Sequence, residues 1–82
     1  MSSDERWAQL RKEVRKMHPD YRLILEKLEQ IPVEGEFTVP DLGAHRQLGG
    51  GATAVLRAAI ALKVVAPTGG KRGRHLIYLR LR

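Results

Sequence analysis

The chain has 82 residues, 43% of them hydrophobic, with no cysteine and a formal charge of +6. This is the size and composition of one small globular domain, and it excludes a disulfide framework, a cysteine metal site and a thiol nucleophile. No apolar run approaches the ~20 residues that cross a bilayer, and the acidic, polar start Met1-Ser2-Ser3-Asp4-Glu5 is unlike a secretory signal. A cytoplasmic location, with no membrane partner, is therefore expected.

In chain order, Trp7, Leu10, Val14 and Met17 recur at steps of three and four and predict a helix from about Asp4 to Met17. Ser2 with Glu5 fits a capping box, and His18-Pro19 ends the helix. A second helix, from Pro19 or Asp20 to Gln30, carries Tyr21, Ile24, Leu25, Leu28 and Ile31 on one face. Residues 36–39 have strand character. Pro40-Asp41 opens a short third helix, and Gln47-Leu48-Gly49-Gly50-Gly51 reads as a turn.

Ala52 to about Lys63 reads as a fourth helix. Val55, Leu56, Ala59, Ile60 and Leu62 point inward in this reading. Thr53, Ala54, Arg57, Ala58 and Ala61 point outward. Residues 64–66 form a strand, 67–74 a loop, and His75 to Leu81 the returning strand. Ile77, Leu79 and Leu81 lie on one face of it, Tyr78 and Arg80 on the other. The expected class is mainly α with a small antiparallel sheet.

Charge is divided along the chain. All nine acids lie between Asp4 and Asp41, while Arg46, Arg57, Lys63, Lys71, Arg72, Arg74, Arg80 and Arg82 follow without one acid among them. A half-chain of single sign favours a polyanionic partner.

The order helix, helix, short strand, short helix, turn, helix, basic hairpin resembles the winged helix-turn-helix family over residues 20–82. The match is carried by Phe37-Thr38-Val39-Pro40-Asp41-Leu42, Leu48-Gly49, Val55-Leu56-Arg57-Ala58-Ala59-Ile60-Ala61-Leu62 and Val64-Val65. The resemblance implies a winged helix-turn-helix domain over 20–82, with residues 1–19 as an extra helix for packing or dimerisation. It implies that 41–46 is the first helix of the pair and 52–63 the recognition helix in the major groove of double-stranded DNA. Lys71, Arg72 and Arg74 would form the tip of a wing, 67–75, on phosphates or in the minor groove.

The candidate DNA-binding residues are Arg46, Gly50, Gly51, Thr53, Arg57, Lys71, Arg72, Arg74 and His75. Arginine can pair with guanine and the threonine methyl can pack on thymine, whereas the cations of the hairpin displace counterions from phosphates. Glycines before a helix can bring N–H groups to an anion. Trp7, Leu10, Val14 and Met17 fit either the core or a homodimer seam. The expected function is that of a small, nucleoid-associated transcriptional regulator. A low-specificity architectural DNA binder is the alternative, because the outward face of the fourth helix is rich in alanine. So is a winged-helix protein-interaction module that meets an acidic protein. No catalytic set and no cofactor are expected. His18, His45 and His75 lack the spacing of a metal site.

Overall fold

The computed structural model describes residues 1–43 and 51–82. Within them, three α-helices pack against one three-stranded antiparallel sheet. Helix α1 (Ser3–Met17) starts at the expected capping box. The Glu5 backbone N–H donates to Ser2 Oγ at 3.2 Å, and the Ser2 N–H donates to Glu5 Oε1 at 3.3 Å. His18, extended at φ −164°, ends it before Pro19. Pro19–Tyr21 forms a 3-10 turn, and only then does helix α2 (Arg22–Gln30) begin. The expected second helix is thus divided, because His18 Nδ1 accepts the Asp20 N–H at 3.1 Å and fixes a tighter first turn.

Strand β1 is only Glu36–Phe37. The predicted strand is cut short at Thr38, whose N–H and hydroxyl both donate to Asp41 Oδ2, at 2.8 and 3.0 Å. These bonds turn the chain into a 3-10 turn at Val39–Leu42, which Gly43 closes with a left-handed φ of 64°. Leu42 points into the core. The rest of the predicted third helix and the turn before Gly51 lie outside the described residues.

Helix α3 (Gly51–Ala61) buries Val55, Leu56 and Ala59 and exposes Thr53, Arg57 and Ala61. It ends in a left-handed cap. Lys63 has φ 60°, its N–H donates to Ile60 O at 3.0 Å, and the Val64 N–H donates to Ala59 O at 3.1 Å. This is the pattern that glycine usually completes. A side chain in that conformation costs about 1–2 kcal/mol. Lys63→Gly is therefore expected to raise stability by about 0.5–1 kcal/mol, after the flexibility glycine adds to the unfolded chain. A thermal melt showing Lys63→Gly less stable than the parent would contradict this cap.

Strands β2 (Val65–Arg72) and β3 (His75–Arg80) form a hairpin, and β1 pairs with the other side of β3, giving the order β1-β3-β2. The expected loop 67–74 is mostly strand. Pairing holds at Val65↔Arg80 through Pro67↔Tyr78, shifts register, and resumes at Lys71↔Leu76 and Arg72↔His75. The turn itself is Gly73-Arg74. Gly73 has φ 64° and Arg74 is not in the left-handed region, the pattern of a type II′ hairpin turn.

One core joins both ends of the chain. Trp7, Leu10 and Val14 of α1 pack with Leu28, Phe37, Leu42, Val55 and Val65. Residues 1–19 and 20–82 therefore share a single hydrophobic interior.

Candidate nucleic-acid interface

Two elements carry the candidate surface: the outer face of α3 and the β2–β3 hairpin. On α3, Thr53 and Arg57 are one helical turn apart and both exposed, and Ala61 continues the row. Ala54 and Ala58, beside them, are half-buried. The face is shallow, with one cation and one hydroxyl rising from a floor of methyl groups. On the hairpin, Lys71, Arg72, Arg74 and His75 are all exposed around the two-residue turn. The hairpin is also braced internally. Thr68 Oγ1 donates to Ile77 O at 2.9 Å and accepts the Gly70 N–H at 3.1 Å across the shift in register.

The hairpin also lies beside Asp41 of the Val39–Leu42 turn. Arg72 Nη1 lies 4.0 Å from Asp41 Oδ2. The Thr38 N–H and hydroxyl hold the Asp41 carboxyl below its usual range. Arg72 adds a smaller pull in the same direction, and burial opposes both. Asp41 is thus a carboxylate at neutral pH, next to the most basic part of the chain.

Gly51 has a role other than phosphate contact. It is buried at the start of α3, and a Cβ there would lie 2.6 Å from Tyr21 Cε1. The glycine lets the Tyr21 ring, itself tilted against His18, close over the helix start. Gly51→Ala gains helix propensity but must push this ring away, for a net loss of about 1 kcal/mol. In a Tyr21→Ala background the same change is expected to become neutral or stabilising. Equal losses in both backgrounds would contradict the contact. Arg46 and Gly50 lie outside the described residues.

Of the two readings of the α1 stripe, burial favours the core. Trp7, Leu10 and Val14 are at most 6% exposed within their own chain, and only Met17 reaches the surface. Three of the four residues considered for a dimer seam are therefore part of the chain's own core.

Arg80 is a functional cation by composition but a structural one by position. The expected alternation of β3 does not appear in burial, since Ile77, Tyr78, Leu79 and Arg80 are all half-buried, and of them Tyr78 packs against the core. Tyr78 stacks on Phe37 with ring centroids 5.8 Å apart. Arg80 reaches under the end of α2, donating to Glu29 O at 2.8 Å and to Ile31 O, and its Nε donates to Arg82 O at 3.1 Å. Its guanidinium carbon lies 4.8 Å from the Trp7 ring centroid. Trp7 Nε1 in turn donates to Arg82 O at 2.9 Å. Alternation cannot tell which face of β3 is inside. The signal that could have found this role is a tryptophan, a helix C-terminus and an arginine that only the tertiary fold brings together.

Among the described residues, no cluster of His, Asp and Glu could hold a metal ion, and no helix is long and apolar enough to cross a membrane. The chain matches no protein-family model, no curated protein and no solved structure.

Proposed function

We propose that this chain binds double-stranded DNA in the manner of a winged helix. In this reading α3 lies in the major groove, and the β2–β3 hairpin is the wing on phosphates or in the minor groove. The observation that carries the reading is the hairpin. Three exposed cations, Lys71, Arg72 and Arg74, and the exposed His75 surround a tight turn, with no acid on either strand. The element order and the sheet order β1-β3-β2 support it, since they place a hairpin directly after a helix whose outer face carries Thr53 and Arg57. The test is a titration of a labelled random-sequence duplex at low salt. Saturable binding supports the reading, and no binding at low salt ends it.

The shallow face of α3 favours phosphate-dominated contact over extensive base reading. Arg57 and Thr53 can each address one base edge, but Ala54, Ala58 and Ala61 offer only methyl contacts. An architectural, low-specificity binder therefore stands beside the transcriptional regulator. Selection of duplexes from a random pool separates the two: one enriched motif favours the regulator, and a flat pool favours the architectural protein.

A further inference from the structure

The last acid of the sequence is carried by the fold to the basic hairpin. Asp41 Oδ2 accepts from the Thr38 N–H and hydroxyl, and Thr38 is only 5% exposed, so the carboxylate is anchored to the core. Arg72 lies next to the hairpin turn, with its Nη1 4.0 Å from that same oxygen. The pair is at the surface, with the Arg72 side chain 64% exposed and the Asp41 side chain 48%. A phosphate can therefore reach the guanidinium without unfolding anything.

Carboxylate and phosphate both offer paired anionic oxygens to a guanidinium fork. Replacing one by the other is a like-for-like exchange. The displaced Asp41 carboxylate would keep both hydrogen bonds from Thr38 and stay partly hydrated, so it would not be stranded as a buried charge. The same geometry places a negative charge where a phosphate must arrive.

We propose that Asp41 is an internal competitor for Arg72, occupying its guanidinium in the free protein so that a nucleic-acid phosphate has to displace it. The inference rests on the nucleic-acid reading above and adds to it the way that surface is restrained. Arg72 then contributes less to binding than its position suggests. Asp41 lowers the affinity for any polyanion and leaves the wing one effective charge short. If Asp41 instead aimed Arg72 at the phosphate, removing its charge would weaken binding.

The test uses the full chain and a fluorescein-labelled duplex about two helical turns long. Asp41→Asn keeps an oxygen acceptor for the Thr38 N–H and removes the charge. It is expected to bind about fivefold tighter at low salt, with the log–log salt dependence steeper by about 0.9. Arg72→Ala is expected to weaken binding several-fold more in the Asp41→Asn background than in the parent. Thermal melting checks that each variant is folded, and Asp41→Ser, which also removes the charge, replaces Asp41→Asn if that variant does not fold. Parent binding with an unchanged or weaker charge-removed variant overturns the competitor. So do equal effects of Arg72→Ala in both backgrounds. Absence of parent binding overturns the nucleic-acid reading itself, and the competitor with it.

Discussion

Arg80→Ala is expected to destabilise the chain by about 3 kcal/mol, the scale of removing a partly buried, hydrogen-bonded charge. Four contacts are lost together: Glu29 O, Ile31 O, Arg82 O and the face of Trp7. The carbonyls at the end of α2 lose a cation placed at the negative end of the helix dipole. For a domain of this size, the melting temperature should fall by about 12–24 °C. Arg80→Lys should recover little, because one ammonium cannot reproduce a planar fork that reaches both α2 carbonyls while its face lies over an indole. Trp7 is the only tryptophan, so its fluorescence reports the change directly. In DNA titrations at low temperature, where the variant is folded, the salt dependence should match that of the parent. A variant of full stability with a flattened salt dependence would make Arg80 a phosphate ligand and refute its structural role.

The triple substitution of Arg57, Lys71 and Arg74 by alanine should have the opposite signature. All three side chains are exposed, and no hydrogen bond or ion pair holds them among the described residues. Their removal should leave the melting temperature within a few degrees, as surface changes of this kind alter stability by about 0.5 kcal/mol or less. Binding to a random duplex should weaken by at least about 100-fold at low salt, and the log–log salt slope should flatten by about 1.8, at 0.9 for each phosphate lost by Lys71 and Arg74. Unchanged binding by the folded triple variant would move the polyanion surface elsewhere on the chain.

These two variants separate cations that the sequence alone does not separate. The run from Arg46 to Arg82 without an acid is visible as composition, but the role of each cation depends on tertiary neighbours. Arg57 could be assigned to the outside of its helix, because Val55, Leu56 and Ala59 define the inside at helical spacing. The Ser2–Glu5 cap and the stop at His18-Pro19 were equally legible, being local and chemically specific. Arg80 was not, since its partners lie some fifty residues away, at Glu29 and Ile31, and its ring partner is Trp7. Gly51 looked like part of a flexible or phosphate-binding turn. Its reason for being glycine is the Tyr21 ring, thirty residues earlier. The extent of the hairpin was missed because Pro67, Gly69 and Gly70 read as a loop, whereas a shift in register lets β2 continue past them to Arg72.

The same distinction applies to the interface. Lys71 and Arg74 could be placed on a basic tip from sequence, while the pairing of Arg72 with Asp41 depends on a backbone turn at Thr38 that brings two distant segments together. The chain thus has fewer unengaged cations on its hairpin than its composition suggests, and Arg57 is the one cation on the outer row of α3.

The most direct test of DNA binding is the salt dependence of the parent chain on a random-sequence duplex, measured by fluorescence anisotropy. Phosphate contacts by Lys71 and Arg74 predict saturable binding with a log–log slope of about −1.8 or steeper. No binding at low salt, or binding that ignores salt, would contradict the account.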